Sequence, residues 1–140
     1  MFPKARLPLL LAVLVALSLA GCSDKDPRLP VTGTVLFKGE PLEHGNIQLL
    51  TTVGPPGPAA GAMIKNGRYD ISKVHGLEPG SYRVLISSTM PVKAAPADWP
   101  AGASLPTVER IPPAFSSFEA SKVLVEVKPP GPVVLDFAIP

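Results

Sequence analysis

The chain has a single cysteine, Cys22, so no internal disulfide can form, and whatever it folds into is held by its core alone. Histidine is almost as scarce. The two that occur, His44 and His75, match no ligand spacing with one another or with Asp70 and Glu78, and each directly precedes a glycine, which suits solvated turn positions better than a metal or acid–base centre. No His-Glu-x-x-His, no Gly-x-x-x-x-Gly-Lys phosphate loop and no run of spaced aspartates occurs, and Gly102-Ala103-Ser104-Leu105-Pro106 fails a nucleophile elbow at its last position. These absences argue against an enzyme, and neither a cofactor nor a metal is expected.

Positive charge is also lacking once it is located. The formal net charge is +2, but Lys4 and Arg6 stand near the N-terminus ahead of an apolar run, and without them the basic residues only equal the 11 acidic ones. With no basic cluster and few aromatics to interleave with it, nucleic acid is not expected as a partner. Long apolar runs are missing too. The longest, Leu9 to Ala20, is broken only by Ser18 and falls short of the ~20 residues that cross ~30 Å of hydrocarbon. A basic start, a short apolar stretch and a close on small residues is the form of a signal peptide.

Leu19-Ala20-Gly21-Cys22 resembles the bacterial lipobox. The resemblance implies that residues 1–21 are a cleaved signal peptide and that the Cys22 thiol receives diacylglycerol, with further acyl chains such as palmitate. Each buried methylene contributes ~0.8 kcal/mol, so several chains hold a protein on a membrane where one would be marginal. Ser23 stands where an aspartate would resemble an inner-membrane retention signal, so the expected location is the outer membrane, on its periplasmic or surface face, if the cell has two membranes. Residues 22–30 then form the lipidated cysteine and a tether. Pro27 and Pro30 keep this stretch out of helix, and Ser23 to Pro30 spans at most ~28 Å.

From residue 31 onward, 19 prolines and 12 glycines in the whole chain punctuate short alternating apolar runs, which predicts one all-β domain over 31–140. Val31 to Phe37 places Val31, Val35 and Phe37 on one face. After a turn at Lys38-Gly39, Asn46 to Thr51 carries Ile47 and Leu49 inward, and Gly54 to Pro58 makes a stiff loop. Ala60 to Lys65 and Arg68 to Ser72 flank Asn66-Gly67, a type I′ hairpin signal, with Tyr69 and Ile71 facing the core. Ser81 to Ser88 aligns Tyr82, Val84 and Ile86. Val123 to Val127 and Val133 to Ile139 close the fold across Pro129-Pro130-Gly131-Pro132, where Pro130-Gly131 predicts a type II turn. Between them, residues 89–120 read as a long proline-rich loop, in which Thr107 to Ile111 suits a short edge strand and Ile111 and Phe115 can cover the end of the core.

Val31-Thr32-Gly33-Thr34-Val35 with Gly39-Glu40-Pro41-Leu42, Asn66-Gly67-Arg68-Tyr69 with Leu77-Glu78-Pro79-Gly80-Ser81-Tyr82, and the two closing strands together resemble the carboxypeptidase regulatory-like, transthyretin-like modules of small bacterial lipoproteins. The likeness covers roughly residues 31–140. It implies a single immunoglobulin-like or transthyretin-like antiparallel β-sandwich of about seven strands, an accessory domain without peptidase activity, and a structural Tyr82 whose hydroxyl bonds back to upstream backbone. The Tyr-Arg-Gly-Ser ending of transthyretin-like hydrolases is absent, since the chain ends Leu135-Asp136-Phe137-Ala138-Ile139-Pro140. The ligand-contact candidate is Trp99, the one tryptophan, which either exposes its ring for a sugar or a protein or covers one end of the core. Arg83 and Arg110 either face a ligand or are solvated strand arginines. The expected function is a non-catalytic, membrane-anchored envelope binding or structural module, with envelope polysaccharide or protein as candidate partners. The alternatives are a carbohydrate-binding module using Trp99 and a small transthyretin-like hydrolase using His44 or His75.

Overall fold

A computed structural model describes residues 26–55 and 57–140, so Cys22 and the lipobox lie outside the described residues. Eleven strands follow one another: β1 (Val31–Phe37), β2 (Glu40–Pro41), β3 (His44–Thr51), β4 (Pro58–Lys65), β5 (Arg68–Ile71), β6 (Gly80–Ser87), β7 (Thr89–Pro91), β8 (Thr107–Glu109), β9 (Leu124–Val127), β10 (Val133–Val134) and β11 (Phe137–Ile139). A 3-10 turn at Lys73–His75 and the one-turn helix α1 (Pro113–Ser116) complete the described fold. Among the described residues no helix is long and apolar enough to cross a membrane.

The fold is all-β. Nine strands form one curled sheet in the order β10-β1-β5-β4-β3-β6-β9, with β11 and β2 sharing the flanks of β1. Counting β10 and β11 as one interrupted strand and setting aside the two-residue β2 leaves the seven strands of a sandwich. Alternation along each strand sends Val31 and Val35, Ile47 and Leu49, Ile64, Ile71, Val84 and Ile86, and Val127 into a single core, where Leu42, Leu77, Ile111 and Ile139 join them. Asn66 and Gly67 both take positive φ, 50° and 74°, as a type I′ turn requires, and Lys38 and Gly39 repeat that geometry at 53° and 84°. The Tyr82 hydroxyl donates to the Glu78 carbonyl at 2.8 Å and so fixes the corner that leads into β6.

The closing segment differs from the sequence expectation in three ways. The connection after β9 does not return as a hairpin: β9 pairs with β6 while β10 and β11 pair with β1, in parallel, so the chain crosses from one half of the sandwich to the other. Its turn is not type II, because Gly131 keeps φ out of the positive region, with cis peptides preceding Pro130 and Pro132. The run Val133 to Ile139 is also broken at Leu135-Asp136. There the Asp136 carboxylate accepts from the Thr34 N–H at 2.8 Å and the Thr34 hydroxyl at 2.9 Å, taking the place of a ladder carbonyl. The Leu135 carbonyl in turn accepts from the Tyr69 hydroxyl at 2.6 Å.

The two ends of the sandwich are built differently. At the entry end, Leu29 and Leu77 exchange both backbone hydrogen bonds, at 2.8 and 3.1 Å, beside the 3-10 turn, the loop after β3 and the Pro129–Pro132 turn. At the far end lie the β4–β5 hairpin tip, the start of β3 and the two-stranded ribbon of β7 and β8.

Gly33 is the position where the closing segment comes nearest to β1. A Cβ there would stand 1.8 Å from the Leu135 carbonyl oxygen and 2.9 Å from the Tyr69 hydroxyl. Gly33→Ala is therefore expected to lower unfolding stability by about 3 kcal/mol or more in urea titration, at the upper end of single-residue effects. A loss below about 1 kcal/mol would mean that the closing strand does not seat there.

Candidate functional site

The segment 89–120, expected as a loop with one edge strand, instead forms a ribbon and a helical turn. Thr89, Met90 and Pro91 pair with Glu109, Val108 and Thr107, and this two-stranded sheet stands apart from the main one. The Val92 N–H donates to the Pro106 carbonyl at 2.9 Å and closes the loop between them. Inside that loop the Trp99 N–H bonds to Pro96 and the Ala103 N–H to Pro100, at 3.0 and 3.2 Å. The indole N–H of Trp99 donates to the Ser104 carbonyl at 3.1 Å. Of the two places open to it from the sequence, Trp99 takes the exposed one. The residue is 38% exposed and lies outside the core, which includes Ile111 and has Phe115 packed against it.

Two three-residue strands are too short to hold a ribbon in place by themselves. The support comes from Ser88 and Glu109. Ser88 is buried; its hydroxyl donates to the His44 carbonyl at 2.7 Å and accepts from the Arg110 guanidinium at 2.7 Å, and its carbonyl accepts from the Arg110 N–H at 2.9 Å. The Glu109 carboxylate accepts from the N–H groups of Ser88 and Ile111, both at 2.9 Å, and from the Ser87 hydroxyl. Burial alone would raise the Glu109 pKa, but the bonds from Ser87, Ile111, Ser88 and Arg110 outweigh it and hold the carboxyl below its ordinary value. This junction was missed in the sequence, where Ser87-Ser88 and Glu109-Arg110 look like separate polar pairs twenty residues apart; their registry depends on strands that pair only after folding.

The two arginines are engaged within the protein. Arg110 supports Ser88. Arg83 donates from Nη1 to the Phe118 carbonyl at 3.0 Å and lies over the Phe118 ring at 5.0 Å. The two histidines do not meet. His44 opens β3 at the far end, its Nε2 3.3 Å from the Thr89 carbonyl oxygen, while His75 lies at the entry end beside Ala59 and Ala60. Because His44 pairs with Lys65, the length of β4 separates the two rings, roughly 16 Å at ~3.3 Å per residue. That is beyond the reach of shared acid–base or metal chemistry. Among the described residues no group of three or more His, Cys, Asp or Glu side chains could hold a metal ion.

A shallow depression of about 810 Å³ on the outer face of β1, β4 and β5 brings Lys65 and Arg68 near Asp70 and Asp136. It concentrates no single sign of charge, and Asp136 is already bonded to Thr34. A second, of about 660 Å³, lies between Phe37, Glu40, Glu43, Asn66 and Arg110 at the far end. Its Arg110 is committed to the ribbon junction. Burial, with the nearby Asp136 charge adding to it, pushes the Tyr69 hydroxyl well above its ordinary value, so it remains a donor to Leu135 at any physiological pH.

A carboxyl whose folded pKa is depressed stabilises the fold above its unfolded value and loses that contribution as pH falls through the folded one. Glu109 should therefore hold the ribbon at neutral pH and release it as the pH drops below about 4.5, its ordinary value. Glu109→Gln is expected to cost about 1 kcal/mol, allowing for solvent screening, and to speed amide exchange at Ser88 and Ile111 selectively. Exchange at those two amides that is unchanged by the substitution would show that the carboxylate does not hold the junction.

The chain matches no family model, and neither a curated protein nor a solved structure matches it.

Proposed function

We propose that this protein is a non-catalytic binding module of the bacterial cell envelope, held to a membrane by lipid on Cys22 and presenting the Trp99 ribbon at its opposite end. The observation that carries the reading is this opposition. The chain enters the fold at Leu29, pinned to Leu77, whereas Trp99 rides on a ribbon that leaves from the end of β6. An eight-residue strand at ~3.3 Å per residue separates those ends by about 25 Å. The lipobox-like Leu19-Ala20-Gly21-Cys22 supports the anchor, and the all-β sandwich agrees with the likeness to carboxypeptidase regulatory-like lipoprotein domains. The distance between His44 and His75 weighs against the hydrolase alternative.

Envelope polysaccharide is the ligand class that the ribbon fits best. The Trp99 N–H is spent on Ser104, which fixes the plane of the ring and leaves an aromatic face without a hydrogen-bond demand of its own. Such a face, electron-rich over its surface, suits the C–H face of a pyranose, while the exposed Asp98, next in sequence, and Ser104, bonded to the ring, can meet its hydroxyls.

The full chain in detergent micelles should co-sediment with isolated peptidoglycan or another insoluble envelope glycan and change the emission of its one tryptophan on binding. Trp99→Ala should weaken retention about tenfold, as expected for removal of an aromatic anchor worth ~1–2 kcal/mol. Retention that is indifferent to the substitution would remove the ribbon as the binding site. For the anchor, fatty-acid labelling should be abolished in Cys22→Ala, and label that persists would sink that part of the reading.

A further inference from the structure

The entry end of the sandwich carries two large apolar side chains that the core does not use. Val53, in the loop after β3, is 86% exposed, and Val74, in the 3-10 turn, is 65% exposed. Both belong to the same end of the molecule. The Thr52 hydroxyl beside Val53 bonds to the Ser81 carbonyl at the start of β6, and the Arg28 guanidinium donates to the Val74 carbonyl while also engaging Asp26. A groove of about 420 Å³ between Arg28, Ala60, Val74 and His75 joins the turn to the entering chain. The charges around the two valines nearly cancel: Arg28 pairs with Asp26, Lys128 pairs with Glu126, and Lys73 is balanced by Glu78.

The length of chain between this end and Cys22 bears on what covers it. Asp26 and Arg28 are tied together and Leu29 is paired, and in the sequence only Ser23, Asp24 and Lys25 stand between Cys22 and Asp26. They span at most ~14 Å. The headgroup layer is itself several Å deep, so an acylated Cys22 leaves the entry end almost no freedom to turn away from the bilayer. Resting on the Cys22 anchor proposed above, we infer that this end is a membrane-contact surface, with Val53 and Val74 seated in the headgroup region of the bilayer that holds the lipid. Two valines would bind a membrane poorly from solution, but the short tether keeps them at an effective concentration at which a weak contact is occupied most of the time. The absence of a strong net charge suits a contact that depends on shallow apolar insertion, not on anionic headgroups. Met90, Trp99, Leu105 and Val108 are exposed as well, but the ribbon and loop that carry them leave the sandwich from the far end.

Acylation consumes the only native thiol, so Val53→Cys and Val74→Cys can each be labelled with a small fluorophore on the full lipidated chain, its acylation verified by mass, in nanodiscs of phosphatidylethanolamine and phosphatidylglycerol. A nitroxide placed at the lipid headgroup should quench either label by half or more and leave Trp99 emission unchanged. Val53→Asp, which alters only an exposed side chain, should reduce quenching of a label at position 74 at least twofold. Labels that stay bright on a verified lipidated chain overturn the contact while leaving the anchor intact, and labels that are immobilised but unquenched point to a protein or a second copy at this end and overturn it too. Quenching of Trp99 would mean that the opposite end faces the bilayer. A chain without acyl groups on Cys22 removes both the anchor and the contact.

Discussion

β1 is the seam on which the two halves of the sandwich meet, and its close approach to Leu135 is the constraint on which the rest depends. On one side β5 and then β2 run antiparallel to it; on the other, β10 and then β11 run parallel. The parallel side has short strands and comes last in the chain, so it contributes few ladder bonds. Its support comes from side chains: Asp136 reaches Thr34, Tyr69 reaches the Leu135 carbonyl, and Gly33 leaves the space that both contacts need. With a single cysteine and so no internal disulfide, this polar clasp beside the apolar core ties the last strands of the chain to the first.

The same device recurs at the far end. The ribbon of β7 and β8 has too few residues to stand alone, and it is docked by a buried serine and a carboxylate that between them satisfy the backbone of Ser88 and Ile111 and the Arg110 guanidinium. Such junctions are geometrically demanding, because the buried Ser88 hydroxyl and the Ser88 and Ile111 N–H groups would be left as costly unpaired groups without their partners. That demand is what gives a proline-rich segment one position relative to the sandwich, and with it a defined place for Trp99.

How much of this was legible follows from how local each signal is. Asn66-Gly67 specifies its hairpin through positive φ at two adjacent residues, and Tyr82 reaches only as far as Glu78, so both were readable from a few letters. The inward positions of β1, β3, β5 and β6 followed from period-two alternation. In the segment 89–120 the strand beginning at Thr107 and the core-facing Ile111 and Phe115 were readable, but the partner strand Thr89–Pro91 was not, because two three-residue strands pair across an intervening loop of low periodicity. Asp136 was hidden for a different reason: inside an alternating run it looks like one more outward polar residue, and only the register against Thr34 makes it a strand breaker. The direction of the closing strand was missed because a proline turn after β9 reads as a hairpin, and nothing in its four residues says that it crosses to β1 instead. Trp99 was identified as a candidate but not located, since exposure and coverage of the core differ only in where the ribbon docks. Cys22, the residue on which the functional reading leans most, is argued from its sequence neighbours alone and lies outside the described residues.

A single exposed indole is a weak binding site, and a lipid anchor changes what such a site has to achieve. In solution one aromatic platform worth a few kcal/mol would give millimolar affinity at best. Under the proposed reading, many copies held on a surface through Cys22 would face a polymer whose units repeat, so each engaged ribbon would raise the local concentration of the next and modest contacts would add into avidity. The requirement moves from affinity to geometry: the ribbon must stand clear of the bilayer and point away from it. A sandwich whose entry end lies a few residues from the proposed anchor, and whose far end carries a ribbon docked by Ser88 and Glu109, would meet that requirement.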